Sequence, residues 1–403
     1  AGDSGLPNHP HAPRMGAIAA VSHNMIVGCV MGSFGVMVAS ISARTGMDKD
    51  TALLGGPLVM LGSAIAAPLF GDLVARRSLR LMMLAGAVMA LAGFVLLAFV
   101  ATPAVYFVAY LALFGPAMAI TGSIGPATLV TRWFDRHRGL ALGLVHLNLI
   151  VAVMPPLCNW LLENAGDQGA LAVYLMMAAL VGVVLMPAIL AVRDFPPDAP
   201  AAAGAPAAAP AEGLTLGQIA RQPTFWLLAT TASAIIAGIM VLTFSMVTMA
   251  EGMGYTRAQG AFLQTVMSLA GMVGSILFGW VADRLGGFRG LALIALNFAL
   301  LLSLLLLDLP YGVLVGVIAL LGLHGAGMVP NVSRALAGAL GPSSFSRAFG
   351  LSSFLSVPFT AAGVFGMSVA HGATGSYTPA IAGLIVLLLV AATLPLIAAR
   401  RAA

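Results

Sequence analysis

Four side chains able to hold a charge or exchange a proton stand inside long apolar runs of this chain: His23, His146, His324 and Arg334. An ionisable group in hydrocarbon is costly, so each is a candidate for function. His324 is followed four and seven residues later by Met328 and Asn331, which share its face if the segment is helical. That face offers a titratable ring, a soft apolar contact and an amide, a set that suits a small carboxylate or a polar aromatic solute. The other reading is a histidine bonded to a neighbouring helix as packing. His23 and Asn24 are adjacent, about 100° apart on a helical wheel, so both can border one cavity or be spent on interhelical bonds. His146 and Asn148 fall about 200° apart on a continuous helix, so they cannot both face a cavity; His146 is the candidate, with helix packing as its alternative role.

Arg334 is the one cation within an apolar run, and a guanidinium can hold a carboxylate by two parallel hydrogen bonds. It comes 21 residues after Val313, about 32 Å along a straight helix, so it either anchors an anion or snorkels to the surface. No Asp or Glu lies well inside a run: Glu163, Glu251 and Asp308 sit at outer ends and Asp283 at an inner one. A buried carboxylate proton relay is therefore not expected. Thr230, Thr231, Ser233, Gln264, Ser268, Ser352, Ser353 and Ser356 add hydrogen-bonding capacity of the kind that also glues helices together. Cys29 and Cys158 lie in apolar stretches with no metal or disulfide spacing. No nucleophile with its base, phosphate-cradling loop or ATP motif is visible, so neither an enzyme nor a cofactor is expected.

The elements that position these residues follow from composition. Of 403 residues, 60% are hydrophobic and 8% charged, too little polar surface to cover a soluble globule, so lipid is the solvent. A spanning helix takes roughly 20 apolar residues. Apolar runs mark six spans at about 15–43, 51–75, 79–101, 104–131, 138–162 and 170–192, and six more at about 223–250, 257–282, 289–308, 311–336, 347–370 and 377–399. The expected class is an all-α membrane protein of twelve transmembrane helices in two pseudo-symmetric six-helix bundles, 14–193 and 223–403. The polar stretch 1–13 reads as a disordered tail with no signal-peptide apolar region, and 194–222 as a Pro/Ala-rich linker with a short interfacial helix near 214–221.

The net charge of +5 comes from short basic clusters between spans rather than from one amphipathic face, which argues against a nucleic-acid partner. If the spans alternate, 14 of the 18 basic residues fall on the side of the termini and linker, three (Arg44, Lys49, Arg257) on the other, and Arg334 within a span. The positive-inside rule then puts both termini in the cytoplasm. The halves echo each other: Gly71 and Gly279 are 208 residues apart and Arg138 and Arg347 are 209 apart. Parallel repeats of this kind place a site at the midplane between the bundles.

The connections FGDLVARRSLR (70–80) and FGWVADRLGGFR (278–289) resemble the signature loop G-x-L-A-D-R-x-G-R-R of the major facilitator superfamily. More narrowly, TRWFDRHRGLALGL (131–144) and QPTFWLL (222–228) resemble the monocarboxylate and oxalate:formate porter branch. The resemblance implies the major facilitator fold and a secondary or facilitative carrier of a small organic anion, a monocarboxylate by the branch match, working by alternating access as a monomer in the cell (inner) membrane. It implies gating roles for Gly71, Asp72, Arg76, Arg77, Gly279, Asp283 and Arg284, with the arginines alternatively serving topology alone. Symport with protons would run through His23, His146 or His324, whose ordinary titration range is suitable. A carrier or exporter of a neutral or amphipathic solute is the alternative.

Two departures stand out. Ala75 occupies the position of the loop's usual Asp, leaving Asp72, one turn earlier, to replace it. The branch places its substrate cation in helix 8 or 11, and neither interior holds one here. The helix 5 segment HLNLIVAVMPPLCNW lacks the glycine-rich pattern of drug antiporters, and Pro155 and Pro156 are expected to kink it.

Overall fold

The computed structural model describes residues 9–48, 51–52, 54–196 and 213–402. Lys49, tail residues 1–8 and linker residues 197–212 lie outside the described residues. Among the described residues, twelve helices are long and apolar enough to cross a bilayer: α1 (Ala12–Gly32), α2 (Gly55–Arg76), α3 (Leu79–Phe99), α4 (Pro103–Trp133), α5 (Arg138–Asn164), α6 (Gly166–Leu190), α7 (Pro223–Met246), α8 (Phe262–Leu285), α9 (Gly287–Leu304), α10 (Tyr311–Leu340), α11 (Pro342–Thr374) and α12 (Thr378–Arg401). No strand occurs among the described residues. Large apolar side chains point outward all round the bundle, with Val183 73%, Phe365 71% and Phe99 69% exposed, as a protein bathed in acyl chains requires.

The halves repeat one packing scheme: α1 on α5, α2 on α4 and α3 on α6, matched by α7 on α11, α8 on α10 and α9 on α12. Small residues set the closest approaches. At the α2–α4 crossing a Cβ on Gly115 would stand 2.6 Å from the Cα of Gly62, so only glycine fits there. α1 continues beyond a π-helical turn at Gly28–Gly32 as Phe34–Thr45. The expected linker helix is Leu216–Ala220, started by Thr215 and Gln218, whose side chains each accept from the other's backbone N–H.

Two spans are interrupted. α5 breaks at His146–Asn148, and α10 turns at Ala326–Gly327. Pro155 and Pro156 lie inside one helical segment, Leu149–Asn164, and the interruption of α5 comes before it. Arg132 donates to the Val74 carbonyl at 3.2 Å, Asp194 accepts from Arg80 N at 3.0 Å, and Arg347 donates to the Gly213 carbonyl at 3.1 Å. The ends of α2, α4 and α6 and the starts of α3 and α11 thus gather with the linker at one arginine-rich face.

Candidate functional site

At the arginine-rich face the halves meet in a seam of two diagonal contacts, α5 against α8 and α2 against α11. α5 begins at Arg138, and its first N–H groups have no partner within their own helix. Asp283, at the end of α8, supplies one: its Oδ1 accepts from Gly139 N at 2.7 Å and its Oδ2 from Leu140 N at 2.9 Å. The positive end of the helix dipole favours a carboxylate there. Arg334 donates to the same Oδ1 at 2.6 Å, with only 6% of the Asp283 side chain and 18% of the Arg334 side chain exposed. One turn further in, Ser275 donates to the Gly143 carbonyl across the seam at 2.8 Å. The backbones touch at Gly139 and Gly279, where a Cβ on Gly279 would stand 2.5 Å from the Gly139 oxygen.

On the other diagonal Asp72 accepts from Arg347 of α11 at 2.7 Å and from Arg76 of its own helix at 2.9 Å. Arg347 also donates to the carbonyls of Gly213 and Leu214, 3.1 Å each, tying the end of the linker into the seam. Gly71 lies against the Ser346 carbonyl and Gly350 against Ala67. Asp72 therefore makes the cross-half contact that Ala75, a buried apolar residue, cannot. Arg284 lies over the Trp280 ring at 4.1 Å and Arg76 stays mostly exposed; Arg77 caps the end of α2.

Just past the Gly143–Ser275 contact, the break in α5 meets α1 in a polar cluster. His23 is held between the Gly122 carbonyl, 2.6 Å from Nδ1, and Asn148 Oδ1, 3.2 Å from Nε2. The His146 ring lies 4.6 Å from the His23 ring, and its Nδ1 contacts the Leu142 carbonyl at 2.9 Å. Asn24 Oδ1 accepts from Leu149 N at 2.8 Å and Ile150 N at 3.3 Å, capping the second segment of α5 from a different helix. An unpaired N-terminal N–H in lipid would cost several kcal/mol, so this cap from α1 is what sustains the interruption. The wheel angle that separated His146 from Asn148 assumed an unbroken helix; the break turns both toward α1. Asn148, set aside in sequence reasoning, is the exposed member of the cluster. Two asparagines and two histidines within apolar runs were its signal.

The α10 residues go elsewhere. His324 and Asn331 make their contacts with α8 and α9. His324 Nε2 meets Asn297 of α9 at 3.3 Å, its Nδ1 meets the Leu320 carbonyl at 2.7 Å, and its ring lies 4.9 Å from Phe278 of α8. Asn331 is fully buried and donates to the Phe278 carbonyl at 3.0 Å, while Met328 is 6% exposed. The contacts that the structure gives His324 and Asn331 are thus with neighbouring helices. Arg334 is held in the seam by its ion pair with Asp283. Thr231 bonds the Ala391 carbonyl of α12 at 3.0 Å, again glue between helices.

Comparison with known proteins agrees with this geometry. The sequence profile of the Major Facilitator Superfamily matches residues 21–357. A curated relative, monocarboxylate transporter 13 of Rattus norvegicus, is 26% identical over 280 residues, 68% of this chain and 62% of the relative. The chain thus matches under two thirds of that relative's length. The human organic anion transporter MFSD10 (TETRAN) has a similar fold at TM-score 0.74 and 14% identity, covering 96% of this chain and all of that one. The E. coli fucose:proton symporter FucP does so at TM-score 0.71 and 15% identity, over 96% and 98% of the two chains. With twelve apolar helices among the described residues and the family match over most of its length, the chain is an integral membrane protein that belongs to the major facilitator superfamily.

Proposed function

We propose that the chain carries a small organic anion, of the monocarboxylate class, by alternating access. The arginine-rich face is the cytoplasmic one on the positive-inside rule, with both termini there and the membrane the cell's inner one. The state described here is then sealed toward the cytoplasm and faces outward. Transport requires the seam to part while the outer ends of the halves close. We take the working unit to be a monomer.

The observation that carries the substrate reading is the cluster of His23, Asn24, His146 and Asn148 at the inner end of the seam, in otherwise apolar surroundings. Imidazole and amide groups there can orient a carboxylate, and the similarity to a monocarboxylate transporter supports the same class. The deciding experiment is uptake into proteoliposomes of labelled L-lactate, with pyruvate and L-fucose as competitors. Competition by pyruvate and none by fucose is expected. The reverse pattern favours the second reading, a carrier of neutral or amphipathic solutes. That reading draws on the engagement of Arg334 by Asp283, which pairs the candidate anion anchor within the protein.

A further inference from the structure

We propose that the far end of the second half, opposite the arginine-rich face, holds a binding site for a small organic cation, whose ammonium or trimethylammonium group pairs with Asp308 in a largely apolar cavity. The site is independent of the carrier reading and takes a ligand of the opposite charge. A cavity of about 390 Å³ lies between the end of α7, the α9–α10 connection and the α11–α12 turn. α11 starts at the arginine-rich face and its other end borders the cavity, and the residues that line the cavity all belong to the second half. A volume of that order suits one small organic molecule.

Contacts between elements hold the walls. Tyr255, in the turn after α7, donates from its hydroxyl to the Leu309 carbonyl at 2.6 Å, and its ring lies 5.2 Å from that of Tyr311 at the start of α10. Tyr377, just before α12, is stacked on His371 of α11, with ring centroids 4.4 Å apart and 11° between the planes. A Cβ on Gly252 would stand 3.6 Å from the Tyr377 ring, so the ring sits between the ends of α7 and α11. Met249, Met253, Leu305, Leu314 and Ile381 supply apolar surface.

The sign of the ligand's charge follows from what lines the cavity. Asp308 is its one carboxylate and His371 its one imidazole, and among the described residues no lysine or arginine lines it. Asp308 is exposed and joins none of the ion pairs among the described residues. Three helices end beside it: α7, which continues to Gly252, α9 at Leu304 and α11 at Thr374. Their carbonyl ends carry partial negative charge. The two helix starts oppose them weakly. Pro310, ahead of α10, has no N–H to offer, and ahead of α12 Ser376 accepts from Thr378 N at 3.1 Å. A carboxylate in this setting attracts a cation, and aromatic rings beside it suit a methylated ammonium group. Free amines and the choline headgroup of a lipid share that chemistry. Both can reach the site, since Leu306 and Leu307 on its rim are exposed.

The test uses the full chain in detergent, with choline chloride as the probe and 3,3-dimethylbutan-1-ol, its uncharged carbon analogue, as the control. Titration calorimetry reads affinity, and the melting temperature reads stabilisation by the bound ligand. Choline should bind and raise the melting temperature, and the alcohol should do neither. Asp308→Asn keeps the size and removes the charge, while His371→Arg places a fixed cation in the cavity. Each should weaken choline binding at least about tenfold. Both positions are exposed, and an unchanged melting temperature without choline shows that the variants fold. Equal binding of the alcohol, or choline binding unaltered in both variants, overturns the site. Native mass spectrometry with phosphatidylcholine and phosphatidylglycerol supplied together identifies the source of the ligand. A preference for phosphatidylcholine that Asp308→Asn removes supports the site with a lipid headgroup as occupant. Choline binding without that preference supports it with a soluble amine. Neither choline binding nor a phosphatidylcholine preference overturns the proposal.

Discussion

Replacing Asp283 by Ala tests whether the seam is a switch. In the sealed state this carboxylate accepts two backbone N–H bonds, at 2.7 and 2.9 Å, and one from Arg334 at 2.6 Å, almost fully withdrawn from water. Hydrogen bonds to a charged group contribute about 1.5–3 kcal/mol each, the dipole of α5 about 0.3–2 kcal/mol, and leaving a buried partner unpaired costs about 3–5 kcal/mol. These figures overlap, so we take about 3 kcal/mol for the whole. The two N–H bonds cross between the halves and exist only when the seam is shut, so the loss falls on that state. About 3 kcal/mol is a factor of roughly 150, enough to bring a sealed state favoured about 100 to 1 to near parity. Spin labels on Trp160→Cys in α5 and Phe262→Cys in α8, both exposed at the outer ends, report the gap by electron–electron resonance. One long distance is expected in the labelled parent, and a second, shorter one of similar weight after Asp283→Ala. A distribution unmoved by the substitution refutes the switch. Arg334→Ala should act in the same direction, and the double variant should fall well short of the sum.

Further outcomes follow from the same contacts. Asn24→Leu removes the cap on the second segment of α5 and should cost about 1–3 kcal/mol, seen as a lower melting temperature in detergent, whereas Asn24→Asp keeps the accepting oxygen and most of the stability. Gly139→Val should hold the seam apart because its Cβ would run into the Gly279 carbonyl; labelling from the arginine-rich side should rise without loss of folded protein. His324→Ala should lower thermal stability by about 1 kcal/mol through the lost Asn297 contact while the pH profile of uptake stays that of the wild type. Because the imidazolium is the form that pairs with a carboxylate, wild-type lactate uptake should rise as the outside pH falls, and His23→Gln should abolish that rise.

The twelve spans and their repetition were legible from apolar length alone, because hydrocarbon leaves few alternatives to a helix. The two aspartates of the seam were legible as candidates too, since Asp72 and Asp283 follow Gly71 and Gly279 at matching span ends. The break in α5 was not. Residues 146–148 contain neither glycine nor proline, and what sustains the interruption is Asn24, more than a hundred residues earlier. His324 shows the complementary limit: periodicity showed which residues share its face, but not which neighbours cover that face. The length of α10 made Arg334 ambiguous, and its partner, Asp283 on another helix, decided the matter.

The grip of Arg347 on the carbonyls of Gly213 and Leu214 bears on how the protein can be engineered. The connector's final residues act as a strap buckled to the gate rather than as slack between two bundles. A reporter domain spliced immediately ahead of Gly213 would tug on that buckle and change the cycling rate, even though it touches no solute. Purification handles and sensors belong at the carboxy end, after Arg401, where they leave the strap alone.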